Sequence, residues 1–119
     1  MHVATLVVHP VPKYPGWDLR GCAAGRVVLA EFTCGRSTSR EAAVRSGASA
    51  EAAERNAIRG VSDAQSVSFL PELCTRTECA TSRGDTWLYH DGDHLSITGS
   101  RMLTPVSYTH LTLPTILRV

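Results

Sequence analysis

His2-Val3-Ala4-Thr5-Leu6-Val7-Val8-His9 opens the chain as a short apolar run with β-branched residues, bounded by Pro10, Pro12 and Pro15. Such a run reads as a strand buried on both faces, the kind a parallel sheet uses. Parallel strands need neighbours and crossover connections. One further convincing strand follows, Ser66-Val67-Ser68-Phe69-Leu70, stopped by Pro71, since proline removes a ladder donor. The expected class is α/β. Two strands do not make a stable doubly wound sheet, so the amino-terminal part of the domain is expected to be missing, with Met1 an internal or spurious start.

Working outward from the first strand, Lys13 to Thr38 reads as loop, punctuated by Gly16, Gly21, Gly25 and Gly35. Trp17 is expected to pack this loop onto the body rather than to stack on carbohydrate. Thr38-Ser39-Arg40-Glu41 has the spacing of a capping box, which starts a helix through Ala42, Ala43 and Val44. Gly47 is expected to interrupt it. Ser49 then caps a second stretch with Ala50, Ala53, Ala57 and Ile58 on one face and Glu51, Glu54, Arg55 and Arg59 toward water. Gly60 is placed to end that helix. Arg40, Arg45 and Arg55 read as interspersed charges on a solvated face rather than as a substrate patch.

The cysteines fall in two close pairs, Cys22 with Cys34 and Cys74 with Cys79. Neither spacing is the C-x-x-C of zinc ribbons or thioredoxins. Together with the histidines they leave a metal site open as an alternative, but two local disulfides are the expectation, and with them an oxidising compartment. No cofactor is called for.

Chemistry converges at Trp87-Leu88-Tyr89-His90-Asp91-Gly92-Asp93-His94-Leu95-Ser96. An aspartate three positions before a histidine can hold one ring nitrogen, fix the tautomer and leave the other nitrogen to take a proton from a serine. Asp91 and His94 are therefore the candidate catalytic residues, with Asp93 a competitor for the histidine. A plain surface turn or a cation-binding loop has a similar Asp-Gly-Asp pattern.

Leu88-Tyr89-His90-Asp91-Gly92-Asp93-His94-Leu95-Ser96-Ile97-Thr98-Gly99 resembles the last block of SGNH-type serine hydrolases, in the version fused to the membrane-bound acyltransferase-3 family. The resemblance extends in pattern over most of residues 3 to 104, including the Pro10-Val11-Pro12 turn and a Leu-Cys...Cys pair upstream of the block, and it is specific only from Tyr89 to Gly99. It implies a flavodoxin-like, three-layer domain with a parallel sheet, here truncated at both ends, in a protein that O-acylates, commonly O-acetylates, cell-surface polysaccharide. The implied roles are His94 as base and Asp91 as its orienter, acting on a serine in a Gly-Asp-Ser block. The implied partners are an acyl donor, a surface glycan acceptor and an upstream membrane-embedded acyltransferase domain, on the extracytoplasmic side. The Cys74–Cys79 bridge would tighten the loop that presents Asp91 and His94.

The chain departs from the family in having no Gly-Asp-Ser. Gly84-Asp85-Thr86 looks similar but sits immediately before the histidine block. Loss of the nucleophile from such a triad costs about a million-fold in turnover, so the chain as written is expected to be inactive. A secreted SGNH esterase and a non-catalytic, disulfide-bonded glycan-binding or interaction domain are the alternatives.

Pro105-Val106-Ser107-Tyr108-Thr109-His110-Leu111-Thr112-Leu113-Pro114-Thr115 resembles one reading frame of a transposase-type DNA sequencing adapter. In that frame index bases encode Ile116-Leu117-Arg118 and constant bases give Val119 and a stop. Residues 105–119 are accordingly expected to be non-native, leaving 1–104 as the carboxy-terminal part of the domain. The remaining composition excludes little: twelve basic against eleven acidic residues give a net charge of +1, which implies neither nucleic acid nor an anionic membrane surface. No apolar run is long enough to span a bilayer and no signal peptide opens the chain.

Overall fold

The computed structural model describes residues 3–22 and 34–117. Strand β1 (Thr5–Val8) pairs in parallel with β3 (Ala64–Val67), with Thr5 opposite Ala64 and Val8 opposite Val67. Backbone bonds from Thr5 N–H to Asp63 O and from His9 N–H to Val67 O extend the ladder at both ends. Between them run β2 (Ser37–Ser39) and helix α1 (Arg40–Ala57). The class is thus α/β, with a small parallel sheet and a helical crossover.

Burial of β1 on both faces is not observed: Thr5 and Val8 are exposed, and Leu6 and Val7 half-buried. Double burial requires helical layers on both sides, and α1 meets the pair at its carboxyl end instead. There Gly47 lies against Pro10, so close that a Cβ on it would stand 3.2 Å from the Pro10 Cβ, and His9 hydrogen-bonds Glu54 at 2.9 Å. These two contacts set the rotation of α1. Ala43, Gly47, Glu51, Glu54 and Ile58 form the half-buried face, while the expected core positions Ala50, Ala53 and Ala57 are exposed. Gly47 therefore does not interrupt the helix; it admits Pro10.

The cap also differs from the expectation. Ser39, extended at φ −66° and ψ 147°, accepts the Ala42 N–H on its Oγ at 3.0 Å, whereas Thr38 is used in β2 opposite Cys79. Gly60 follows the helix at φ +80°, in the left-handed region that glycine adopts without strain. The second strand stops earlier than expected, at Val67. Leu70 begins helix α2 (Leu70–Leu73), with Pro71 in its first turn, where the missing N–H costs nothing.

The rest of the chain is a series of short antiparallel pieces: β4 (Glu78–Ala80) on β2, the hairpin of β5 (Ser82–Arg83) and β6 (Thr86–Trp87), and the hairpin of β7 (Tyr89–Asp91) and β8 (His94–Leu95). Helices α3 (Ile97–Met102) and α4 (Thr104–Leu117) follow. α4 packs over the parallel pair and receives a hydrogen bond from Gln65 on the His110 carbonyl.

Tyr14, Trp17, Phe69, Leu73, Leu88, Tyr89 and Leu103 form the core together with Val67 and three buried cysteines. It is centred between the loop after β1 and the segment from Phe69 onward. Both expected disulfides, Cys22–Cys34 and Cys74–Cys79, are present. Val27-Val28-Leu29-Ala30, which the first bridge brackets, lies outside the described residues.

Candidate active site

The β7–β8 hairpin turns through Gly92 and Asp93, which leaves Asp91 and His94 opposite each other in register. Cross-strand partners in a hairpin present their side chains on one face. The His94 Nδ1 lies 2.9 Å from Asp91 Oδ1 and 3.1 Å from Oδ2. A carboxylate can only accept, so Nδ1 carries the proton and Nε2 is the nitrogen left clear of Asp91. The Asp93 N–H donates to Asp91 Oδ1 at 2.8 Å. This amide and the His94 ring hold the Asp91 carboxyl below the usual carboxylate range, the amide being the larger cause. Asp93 thus contributes its backbone, and Asp91 is the partner of the histidine. The His94 side chain is 72% exposed and that of Asp91 30%.

An exposed dyad needs a rigid mount, and the loop after β1 supplies one. The Tyr14 N–H donates to Gly92 O at 2.8 Å, and the Gly92 N–H donates to Trp17 O at 2.8 Å. A Cβ at Gly92 would overlap the Tyr14 carbonyl oxygen. The Tyr89 hydroxyl donates to Pro12 O at 2.6 Å, and the Tyr89 ring meets Tyr14 edge-on at 4.9 Å. Burial pushes the pKa of both phenols up, so both stay neutral and Tyr89 stays a donor.

The other flank of His94 is held as tightly. The Ser96 N–H donates to Leu88 O at 2.9 Å; its hydroxyl donates to Trp87 O at 2.7 Å and accepts the Gly99 N–H at 2.9 Å, capping α3. A Cβ at Gly99 would overlap the Leu88 carbonyl oxygen.

Trp17 is buried, as a packing residue should be. Its indole N–H donates to Cys34 O at 2.7 Å and its ring lies 5.7 Å from that of Trp87. The Cys22–Cys34 bridge is therefore joined directly to the segment that holds Gly92. Cys74–Cys79 acts from further away than expected: Cys79 anchors β4, and beyond it the Thr81 carbonyl accepts the Leu88 and Tyr89 amides.

Other candidates fall outside the site. Gly84-Asp85-Thr86 belongs to the β5–β6 turn, with Gly84 at φ +58°, not to a strand-to-helix elbow. Arg45 and Arg55 pair with Glu41 and Glu51 along α1, and Arg40 caps the Thr75 carbonyl. Among the described residues no three His, Cys, Asp or Glu side chains are grouped to hold a metal, and no helix is long and apolar enough to cross a membrane. Asp18 and Arg20 form an ion pair at 3.1 Å on the chain segment bridged to Asp91.

Sequence reasoning placed Asp91 and His94 but not their mount. Gly92 could be read only as a turn residue, because nothing local to Asp-Gly-Asp signals a carbonyl pressed against it from Tyr14. Ser96 was accessible in principle: Ser-x-x-Gly ahead of a helix is a capping pattern.

No curated protein and no solved structure matches the chain significantly. A family model described as "SGNH domain (fused to AT3 domains)" matches residues 3–108, a span that holds the parallel pair, both disulfides and the Asp91–His94 hairpin. The chain, an α/β unit carrying that hairpin at the carboxyl side of its parallel strands, belongs to the SGNH domain family.

Proposed function

We propose that this chain supplies the base of a serine acyl transfer reaction, in which the full-length protein moves an acyl group, commonly acetyl, to a hydroxyl of a surface polysaccharide. The observation that carries the reading is the placement of His94 Nδ1 2.9 Å from Asp91 Oδ1, with the ring largely exposed. That is the arrangement a general base needs before its nucleophile arrives. The family, whose SGNH domains are fused to AT3 domains, supports the acyl-transfer class and an attached membrane acyltransferase domain. Two disulfides fit an extracytoplasmic location.

The chain contains no Gly-Asp-Ser, so the serine comes from another part of the full-length protein. Its hydroxyl oxygen attacks the acyl carbonyl while His94 Nε2 takes the proton. The bond from the carbonyl carbon to the donor breaks, and His94 returns the proton to the leaving group. In the second half His94 takes the proton of the glycan hydroxyl, the new ester forms, and the serine leaves with that proton. Asp91 stabilises the imidazolium formed in each half. Residues 105–119, in this reading, are translated adapter and take no part.

The test is the acyl content of surface polysaccharide in cells making the full-length protein or its His94→Ala variant. Loss of the acyl groups is expected. Unchanged acylation would overturn the reading, and release of free acid by the purified protein without transfer would make it an esterase.

A further inference from the structure

The dyad is joined to the body of the domain largely through backbone hydrogen bonds. Gly92 exchanges hydrogen bonds with both ends of one short stretch, receiving the Tyr14 N–H on its carbonyl and giving its own N–H to Trp17 O, each at 2.8 Å. The same stretch is closed on itself by Trp17 N–H to Tyr14 O at 3.1 Å. It is tied to the hairpin a second time through Tyr89 OH to Pro12 O. Gly92 is buried although it sits in a turn between two polar residues, and there is no room for a Cβ against the Tyr14 carbonyl. Its φ is not in the left-handed region. An ordinary turn would accept alanine there on conformational grounds, so it is the close approach that demands glycine.

We infer that Gly92 is a positioning residue, docking the Asp91–His94 turn onto the Tyr14–Trp17 stretch at the end of β1, with the Tyr89 hydroxyl as its partner. The inference rests on the proposed acyl transfer. Substituting Gly92 would push the turn off Tyr14 and displace the His94 ring while leaving the chemical identity of both Asp91 and His94 unchanged. A misplacement of about 1 Å costs roughly a hundred-fold in turnover when the reacting groups must be held in line.

The experiment uses the full-length protein with Gly92→Ala, Tyr89→Phe and, as a control, Gly84→Ala. Gly84 stands in the β5–β6 turn with nothing near it and a positive φ, so its substitution strains the fold away from the dyad. Gly92→Ala is expected to lower kcat roughly a hundred-fold with KM for the acyl donor nearly unchanged, and Tyr89→Phe to lower it in the same direction by less. Both losses should exceed that of Gly84→Ala at equal loss of melting temperature. Kinetic losses that only track melting temperature would overturn the inference. If Gly92→Ala does not fold, Tyr89→Phe decides alone: wild-type kcat in that variant sinks the clamp. Nitrogen NMR of the His94 ring in the same variants separates this from failure of the acyl-transfer reading. Should His94→Ala leave activity intact, a Gly92→Ala ring spectrum in which the Nδ1-protonated form is lost still supports the clamp, and an unchanged spectrum rejects it.

Discussion

The β7–β8 hairpin and the β1–β3 pair are both two-stranded, and they are held in opposite ways. The hairpin is local, its register fixed by a two-residue turn, and it is gripped on each side by backbone bonds to the Tyr14–Trp17 stretch and to Leu88. Tyr89, Gly92 and Gly99 are buried around it. The parallel pair joins distant segments and leaves Val8 exposed, as are Val3 and Val61 just ahead of its two strands. An open groove of about 400 Å³, lined by Pro10, Val44, Gly47, Glu51, Ser68 and Leu70, runs beside the contact between α1 and the carboxyl end of the pair. Asp91 and His94 take no part in that groove. The difference locates precision in the segment that bears the dyad and leaves the parallel pair dependent on further layers, because parallel strands are stable when covered on both faces.

If the hairpin region is a rigid mount for chemistry, deleting the exposed ring should destroy activity without touching stability. His94→Ala in the full-length protein is expected to reduce turnover by about a million-fold, with melting temperature unchanged because the side chain is largely solvated. Steady-state assay beside calorimetry reads both. A large fall in melting temperature would mean that His94 is part of the mount.

Within the hairpin, the two aspartates should separate. Asp91→Asn replaces one carboxylate oxygen by an NH2 donor and removes the charge, so the tautomer is no longer fixed, and should cost about ten-thousand-fold in kcat, whereas Asp93→Asn keeps the amide that Asp91 uses and should cost little. Equal losses would sink the assignment. Acidity sharpens the same point. The folded-state pKa of Asp91 is depressed, so its stabilising contribution is complete above the ordinary carboxyl value of about 3.9 and is lost as pH falls through the lower folded value. Carboxyl-carbon NMR should show Asp91 titrating below the ordinary carboxyl range.

Packing gives the next contrast. Leu88 is fully buried at the centre of the core, and Val8 is 44% exposed on β1. Leu88→Ala should destabilise by about 2–5 kcal/mol, and Val8→Ala, away from any buried contact, by no more than about 0.5 kcal/mol. Chemical denaturation of the full-length protein compares them. A large Val8 effect would show that the exposed face of β1 is covered in the intact molecule, and would place the missing layer there.

What could be read in advance follows the same division. Asp91 and His94 were legible because their approach is set by three residues of local spacing, and the cysteine pairs because each closes a short loop. The rotation of α1 was not, because its alanines lie all round the helix and the deciding contacts, Pro10 on Gly47 and His9 on Glu54, come from the other end of the parallel crossover. The strand from Ser66 was placed two or three residues late for a similar reason. Phe69 and Leu70 suit a strand by propensity, but Pro71 suits the first turn of a helix, and the core took Phe69 and Leu73 on those terms.

The smallest effect concerns the start of α1, where two hydroxyls compete for one cap. Thr38 has the Thr-x-x-Glu spacing with Glu41, yet it lies in the middle of β2 opposite Cys79, one position too far from a helix that begins at Arg40. Ser39 is the next residue with a free hydroxyl and extended backbone, and its Oγ takes the Ala42 amide. Losing a serine cap costs about 1 kcal/mol. Ser39→Ala should therefore lower stability by about that amount, and Ser39→Asp should restore it, since aspartate caps equally well and adds a negative charge at the positive end of the helix dipole. Thr38→Ala leaves the cap intact and should cost less than Ser39→Ala in the same denaturation series. The reverse order would mean that the helix begins one residue earlier in solution, with Glu41 closing the box on Thr38 and β2 shortened to match.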